Sequence, residues 1–211
     1  MQPPTFHPAH FDPPYRIETE RLVIRAWEPA FTPALHRLVA DNVEFLRPWV
    51  PWMEAEPRSL EDRLREVRTW RGAFDRDTHW SWAIFDQGGE MVGTSLLNRL
   101  SDDTMEPGGW LGVAQTKRGY ALEVAAAVVR AVFQGFGMAR VHGVCDVANQ
   151  PSIAVLTRLG FTHEATARHE HAGRRADEML WGMLADEWPS SPAAALAAGN
   201  RAYDVLGNRI Y

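Results

Sequence analysis

Apolar residues recur every three to four positions in four stretches of the chain, which is the spacing of an amphipathic helix. The pattern predicts helices over residues 34–46, from about 60 to 74, over about 18 residues from 119, and over residues 151–159. Ser59 and Asp62 stand three apart at the start of the second helix, as in a capping box. Gly160 follows the fourth helix and is expected to end it.

Short runs rich in β-branched and aromatic residues lie between these helices. They predict strands over residues 22–27, 80–85, 91–97, 110–113, 141–146, 165–171 and 177–184. The turn signal at residues 87–89 makes the second and third strands a hairpin, and the last two strands meet at Ala172 and Gly173. The resulting order, β-α-α-β-β-β-α-β-α-β-β, is typical of a single mixed α/β (α+β) domain.

The chain has 211 residues, a length that suits one domain with extensions. Five prolines among the first 15 residues predict an irregular N-terminal arm over residues 1–16. The predicted elements fall between residues 22 and 184, within a domain expected at residues 17–188. Residues 189–211 are expected to form a C-terminal extension, whose role the sequence does not indicate.

Composition narrows the classes of function. A net charge of −5 and a pI of about 5.9 argue against a general nucleic-acid binder. No apolar run approaches the ~18 residues of a membrane-spanning helix, and the first residues lack a signal-peptide pattern, so we expect a cytoplasmic protein with no membrane partner. Cys145 is the single cysteine, which excludes a multi-cysteine zinc site, and no metal is expected.

The junction between the fourth predicted strand and the long helix is the most informative stretch. Gly119 opens the helix, whose first N–H groups have no intrahelical partner and lie at the positive end of the helix dipole. Lys117 and Arg118 add positive charge beside them. This combination suits a diphosphate, which could approach the glycine backbone closely. The alternative is an ordinary strand-to-helix turn whose glycine only relieves strain.

A second helix begins directly after a strand thirty residues further on. Asn149 and Ser152 stand at its start. Polar side chains at a helix N-terminus usually cap it, and that interpretation holds for Asn149 taken alone. The order of the two sites is more specific: a strand, a long helix opened by glycine, a strand, a short helix opened by Asn-x-x-Ser, a Gly-Phe pair and a hairpin.

At this point the chain resembles the GCN5-related N-acetyltransferase (GNAT) superfamily, and within it the ribosomal-protein N-terminal acetyltransferases. The resemblance spans about residues 17–188. It is carried by short motifs in a fixed order, namely Thr19-Glu20-Arg21-Leu22, Ile24-Arg25, Trp49, Trp52, Gly109-Trp110-Leu111, Gly119-Tyr120-Ala121, Glu123, Asn149, Ser152, Leu159-Gly160-Phe161 and Asp177.

The resemblance implies a central mixed sheet of seven strands, splayed open between the fourth and fifth and flanked by about four helices, with acetyl-CoA in the cleft. It implies that the pantetheine arm lies along the fourth strand and the diphosphate on the following loop. The implied cofactor-binding residues are Leu111, Gly112, Val113, Gln115, Thr116, Lys117, Arg118, Gly119, Tyr120, Ala121, Asn149 and Ser152.

The loop departs from the family pattern at two positions. Thr116 stands where glutamine or arginine is expected, and Lys117 stands where glycine is common. Gln115 lies one place early, as if the loop bulged by one residue. Main-chain amides carry most phosphate binding in such loops, so these side-chain changes are compatible with CoA binding. A relative that binds CoA without catalysis is an alternative.

The family implies direct transfer, in which an amine attacks the thioester and CoA leaves as the thiol. Ser152 is the available hydroxyl for protonating the thiolate, with a helix cap as the alternative. Glu106, His169 and Glu170 are the candidate bases, each with a surface role as the alternative. The acceptor pocket is expected at Trp49, Trp52 and His169, where core packing is the alternative for the tryptophans.

The amine itself is indicated weakly by its pKa. An α-amine titrates near 8 and lysine near 10.4, a gap of about 2.5 units or ~3.4 kcal/mol, so an α-amine needs a weaker base. The sequence offers no obvious strong base for lysine, which favours a protein N-terminus as the acceptor. A small-molecule amine and a non-catalytic binding protein remain as alternatives, and a homodimer is a possible assembly.

Overall fold

The computed structural model describes residues 13–168, 170–171, 174–175 and 177–211, the two short segments by their backbone alone. The strands of this part of the chain are β1 (Arg16–Glu18), β2 (Leu22–Ala26), β3 (Trp80–Asp86), β4 (Met91–Arg99), β5 (Thr104–Leu111), β6 (Arg140–Asp146), β7 (Thr162–Ala167), β8 (Glu170–His171), β9 (Arg174–Arg175), β10 (Glu178–Leu184) and β11 (Arg201–Tyr203). Nine of them form one sheet in the order β11-β1-β2-β3-β4-β5-β6-β10-β7, and β8 pairs with β9.

Five α-helices accompany the sheet over the same residues: α1 (Thr32–Leu46), α2 (Leu60–Phe74), α3 (Tyr120–Arg130), α4 (Gln150–Leu159) and α5 (Pro192–Ala197). The side chain of Ser59 accepts a hydrogen bond from the Asp62 N–H at 3.1 Å, which confirms the predicted cap of α2. The long helix is shorter than expected, because α3 passes into a π-helical turn at Ala131–Gly135. None of the described helices combines the length and apolar character needed to cross a membrane.

Apolar side chains pack on both faces of the large sheet. On one face α3, α4 and α5 cover a core in which Trp80 meets Phe136 edge to face, with ring centroids 4.9 Å apart. On the other face α1 and α2 place Leu35 and Val67 against Ala83 of β3. The two layers cover the sheet and leave the edge beyond β5 as the place where a ligand can enter.

The sheet opens between β5 and β6. These strands are parallel, and only two residue pairs join them, Thr104 with Arg140 and Met105 with Val141. Beyond these pairs β5 continues beside β4 as far as Leu111, while β6 continues beside β10. The predicted splayed GNAT-type sheet is thereby confirmed, with nine strands where seven were expected. We call the opening beyond Met105 and Val141 the split, and its closed end the vertex.

The segment after β10 completes the edge of the sheet. β11 pairs with β1 through the register Arg16–Tyr203, Ile17–Ala202 and Glu18–Arg201. Arg130 of α3 donates hydrogen bonds to the carbonyl oxygens of Ala197 (2.6 Å) and Asn200 (3.0 Å), which ties α5 and the following turn to the core helix. Residues expected only as an extension therefore contribute to the sheet and its helical layer.

Candidate active site

Two helices begin at the open end of the split. β5 and β6 are parallel, so their C-terminal ends lie at the same edge of the sheet. Eight residues separate β5 from α3, including a short 3₁₀ turn at Val113–Gln115, and three residues separate β6 from α4. Ligands of open α/β sheets bind at such carboxyl edges, where neighbouring strands part.

Two consecutive glycines leave the middle of β5 without side chains. Gly108 and Gly109 are both exposed, and Gly109 has φ +151°. A Cβ at Gly109 would overlap the carbonyl oxygen of Thr94 and press on Ser95 in β4. Glycine inside a strand often marks the close approach of a ligand or another backbone. This wall of the split is therefore open to a ligand lying along the strand.

The main chain at the end of β5 is only partly available to a ligand. The Gly112 N–H donates to the Val92 carbonyl oxygen at 3.0 Å, so alternation along an antiparallel pair turns the N–H and C=O of Leu111 away from β4, into the split. The Val113 N–H donates instead to Oδ1 of Asn42 in α1, at 2.7 Å. Of the predicted stretch Leu111–Val113, Leu111 is the residue that presents its main chain to the split.

The first turn of α3 offers uncapped N–H groups. Gly119, the N-cap residue, is left-handed (φ +81°, ψ 1°), and no side chain caps the helix. The first helical bond runs from the Glu123 N–H to the Gly119 carbonyl oxygen at 3.2 Å. The N–H groups of the three preceding residues, Tyr120, Ala121 and Leu122, consequently have no intrahelical partner. With the positive end of the helix dipole, they form the kind of site that binds phosphate.

A side-chain clamp holds this loop from the first strands. Arg21 donates to the Arg118 carbonyl oxygen at 2.8 Å and pairs with Glu123 at 2.6 Å, and Thr19 bonds the same carboxylate. The guanidinium carbons of Arg21 and Arg118 lie 4.9 and 5.2 Å from the Tyr120 ring centroid. Sequence reasoning used Thr19, Arg21 and Glu123 only as marks of the family; the structure shows that they fix the loop.

The side chains of the loop are mostly engaged within it. Gln115 is buried and accepts a hydrogen bond from Arg118 at 2.7 Å, and the Thr116 hydroxyl donates to the Val113 carbonyl oxygen at 2.8 Å. Lys117 is exposed and has φ +60°, a left-handed conformation that is costly for a residue with a Cβ. The backbone conformation explains physically why glycine would suit position 117.

The start of α4 differs from that of α3. Oδ1 of Asn149 accepts a hydrogen bond from the Ser152 N–H at 3.2 Å, so Asn149 is an N-cap, as the alternative interpretation held. The side chain of Ser152 is half-buried, and within the described residues its hydroxyl has no hydrogen-bond partner. A hydroxyl free at a helix start beside the split is available to a ligand.

Only one of the three candidate bases is placed by its side chain. Glu106 was expected just before the strand, but β5 begins at Thr104, so Glu106 lies inside it, opposite Asn98 of β4. The earlier start was missed because proline and two glycines follow Glu106 and resemble a turn. His169 lies outside the described residues, and Glu170 is described only as backbone in β8.

The two tryptophans of the expected acceptor pocket have different surroundings. The ring of Trp52 packs 6.2 Å from that of Trp110 in β5, and the Arg63 guanidinium lies 5.6 Å from the Trp52 centroid. Trp49 is 40% exposed, and Phe45, four residues earlier in the chain, is 42% exposed. Trp52 is therefore a packing residue beneath the face of β5, and Trp49 lies at the surface.

We searched the described residues for side chains that could together bind a metal ion. Among the described residues no group of three or more His, Cys, Asp or Glu side chains converges as a metal site would require. Cys145 is buried in β6, and burial raises the pKa of its thiol above the ordinary value. The arrangement at the split suits instead an extended anionic ligand, with the anion at α3 and its other end toward the vertex.

Comparison with known proteins identifies one family. The sequence model of the acetyltransferase (GNAT) domain matches residues 21–162. YdaF of Bacillus subtilis strain 168, named as a candidate ribosomal N-acetyltransferase, is 27% identical over 176 residues, which cover 80% of this chain and 94% of YdaF.

Solved structures extend the likeness to the fold. RimL, a ribosomal L7/L12 α-N-protein acetyltransferase in complex with coenzyme A, superposes with a TM-score of 0.74 at 25% identity, covering 80% of this chain and 97% of RimL. The microcin C7 self-immunity acetyltransferase MccE, in complex with acetyl-CoA and AMP, shares the fold with a TM-score of 0.73 at 16% identity, covering 79% and 93%. The family match over two thirds of the chain and the split sheet agree: this chain belongs to the GNAT family of acetyltransferases.

Proposed function

We propose that this protein transfers the acetyl group of acetyl-CoA to the α-amine of a protein N-terminus. The observation that carries the proposal is the uncapped start of α3 at the open end of the split, where Gly119 leaves three N–H groups for an anion. The names of its relatives support the protein acceptor, since RimL is an α-N-protein acetyltransferase and YdaF is named for ribosomal acetylation.

The proposed cofactor position follows from the two ends of the split. The diphosphate binds the N–H groups of Tyr120, Ala121 and Leu122, with the positive charge of Arg118 close by. The pantetheine arm follows β5 past Leu111, using its main-chain groups, and then past Gly109. A strand rises about 3.3 Å per residue, so the five steps from Leu111 to Glu106 span ~17 Å. The thioester therefore lies toward the vertex of the split.

The chemistry is a single transfer. The amine nitrogen forms a bond to the thioester carbonyl carbon, the carbon–sulfur bond breaks, and a main-chain N–H of β5 stabilises the oxyanion. The ammonium proton goes to a base at the vertex, for which Glu106 is the candidate that sequence reasoning named. The Ser152 hydroxyl gives a proton to the departing thiolate and recovers one from solvent. Trp49 and Phe45 border the side from which the acceptor approaches.

The assay that tests the proposal measures CoA release with a thiol reagent. The three acceptors are a peptide with a free N-terminal serine, the same peptide acetylated at its N-terminus and carrying an internal lysine, and spermidine. We expect turnover with the first peptide alone, because its α-amine needs the weakest base. Turnover with only the lysine peptide or spermidine would make the acceptor assignment wrong. If calorimetry shows CoA binding and no amine is acetylated, the protein is a binding protein on this fold.

A further inference from the structure

The vertex of the split brings together two residues that are 36 apart in the chain. Met105 and Val141 form the last pair between β5 and β6, and both are fully buried on the face covered by α3. Side chains alternate along a strand, so the next residues, Glu106 and His142, point to the opposite face. Parallel strands in register place these two side by side, where the strands begin to part. Both are half-buried.

His142 has a polar neighbour on its other side as well. Its partner in β10 is Gly182, and a Cβ there would overlap the carboxylate of Glu164 and the guanidinium of Arg140. These two groups form a salt bridge, with Nη1 and Oε1 2.9 Å apart, over the glycine. Arg140 above all, with a smaller contribution from His142, holds the pKa of Glu164 below its ordinary value.

We propose that His142 is the group that accepts the proton of the acceptor amine, and that Glu106 is a positioning residue that attracts the ammonium to it. The assignment rests on the proposed function for the location of the thioester near the vertex. A ring nitrogen of His142 takes one proton from the ammonium and returns it to solvent, and the neutral amine then forms the bond to the carbonyl carbon. The nitrogen loses its second proton to solvent as the carbon–sulfur bond breaks, and the thiolate is protonated from Ser152, which recovers a proton from solvent.

Magnitudes favour an imidazole over a carboxylate as the proton acceptor. A free α-amine titrates near 8, a free imidazole near 6.5 and a free Glu carboxyl near 4.3. Moving the proton to an imidazole is therefore uphill by about 1.5 units, or ~2 kcal/mol, and moving it to a carboxylate by about 3.7 units, or ~5 kcal/mol. A carboxylate beside the imidazole suits a different role, the attraction of a cation. An imidazole base also suits an α-amine better than a lysine, because the pKa of the α-amine is lower.

The charged groups around His142 are known from each neighbouring strand. β5 contributes Glu106, and β6 contributes Arg140 and Asp146, which lie two residues before and four residues after His142 on the same face. β7 contributes Glu164, and β10 contributes Glu178 opposite Asp146. Glu164 and Arg140 neutralise one another in their salt bridge. The carboxylate of Glu106 is thus the charge at the vertex that faces His142 across the split.

The test compares His142→Gln with His163→Gln by the pH dependence of kcat/KM for the free N-terminal serine peptide. His163 is a matched control, because it lies in β7 of the same sheet but packs on the buried Trp181, with ring centroids 5.1 Å apart, on the opposite face. We expect His142→Gln to lower kcat/KM about hundredfold at pH 7, the scale of one general base. CoA affinity by calorimetry should stay within about twofold.

The shape of the pH profile separates a proton acceptor from a structural role. The loss of kcat/KM in His142→Gln should become smaller as the pH rises above the pKa of the free α-amine, because the substrate amine is then already neutral. Glu106→Gln should raise the peptide KM more than it lowers kcat. A deficit that is constant from pH 6.5 to 9, or a profile equal to that of His163→Gln, would overturn the proposal. If the wild-type protein acetylates spermidine instead of the peptide, the same comparison is made with spermidine, so the acceptor and the base fail separately.

Discussion

The two helices that begin at the split solve the problem of their first N–H groups in opposite ways. At α4 the side chain of Asn149 accepts a hydrogen bond from the N–H of Ser152. The starts of α2 and α5 are closed in the same way by Ser59 and Ser191. At α3 the N-cap is Gly119, which has no side chain to offer. In the capped helices a side chain accepts a hydrogen bond from a first-turn N–H group, whereas the first N–H groups of α3 have no such acceptor and are available to a ligand.

The acid in the first turn of α3 sharpens this difference. Glu123 stands in a position where a carboxylate often serves the helix N-terminus. Here its carboxylate is bound by Arg21 and Thr19, so it fastens the loop to the first strands and does not occupy the free N–H groups. In our proposal, the contrast between the two helices separates ligand binding, at α3, from local stability and proton transfer, at α4.

The largest effect is expected at Gly119. Gly119→Val forces a β-branched residue into φ +81°, places a Cβ 3.3 Å from Arg21, and fills the space above the free N–H groups. We expect the Kd for CoA, measured by calorimetry, to rise about hundredfold, which corresponds to ~2.7 kcal/mol.

Gly89→Val is the matched control for this change. Gly89 has nearly the same backbone angle, φ +80°, with nothing within 4 Å of its Cβ position, and it lies in the turn between β3 and β4. Both variants should lose similar thermal stability, but the CoA affinity of Gly89→Val should be that of the wild type. Equal affinities in the two variants would remove the diphosphate from α3.

Removal of the Ser152 hydroxyl tests the other helix. Ser152→Ala keeps the main-chain N–H that Asn149 accepts, so the cap and the stability should remain. If the hydroxyl protonates the thiolate, kcat should fall about tenfold or more while the KM for acetyl-CoA changes little. Thr157→Ala is the control, since its hydroxyl bonds the Ile153 carbonyl oxygen within the same helix at 2.8 Å. A kcat equal to that of this control would leave Ser152 without a part in the chemistry.

The cap itself is expected to have a smaller effect, and on stability. Asn149→Ala leaves the Ser152 N–H without its acceptor, which typically costs about 1 kcal/mol. The free energy of unfolding in urea should fall by this amount, as it should in Ser59→Ala at the start of α2. CoA affinity should be nearly unchanged. A loss of CoA affinity comparable to that of Gly119→Val would mean that both helices bind the ligand, and the contrast between them would be wrong.

Elements with a strong local pattern could be predicted from the sequence. α2 was expected from its capping box and the β3–β4 hairpin from its turn, and both are present. The N-terminal half of β5 was missed because Pro107 and two glycines interrupt it. Proline is tolerated at position 107 because the main chain there turns its N–H side toward the split and away from β4. The missing N–H therefore removes no hydrogen bond to β4. β1 and β11 were missed because each has only three residues and is recognised by its pairing, that of β1 with β2 and β11 and that of β11 with β1.

The candidate site also has features that the sequence could predict and features that it could not. The uncapped start of α3 was predictable because glycine before a helix is a local signal. The contacts that position it were not, since Arg21 meets Glu123 across 102 residues and Asn42 meets Val113 across 71. His142 could have been found by a finer use of the same pattern: Val141, Gly143 and Cys145 are buried, so alternation places His142 on the face of β6 opposite the core under α3.

The smallest predicted effect concerns Lys117, and it tests whether the backbone or the side chain of the loop binds the ligand. A residue with a Cβ pays about 1–2 kcal/mol for the left-handed conformation, which Lys117 adopts at φ +60°. Glycine relieves this cost but gains freedom in the unfolded chain, so Lys117→Gly should stabilise the protein by about 0.5–1 kcal/mol. In a protein of this size that raises the Tm by about 1–4 °C. Ala114→Gly, in the preceding turn and without a positive φ, should lower the Tm instead.

Because the free N–H groups of α3 bind the diphosphate in our proposal, the Kd of Lys117→Gly for CoA should stay within about threefold of the wild type. A Tm that falls as in Ala114→Gly would show that the loop carries no strain at position 117, and a Kd that rises as in Gly119→Val would move the binding from the backbone of α3 to the Lys117 side chain.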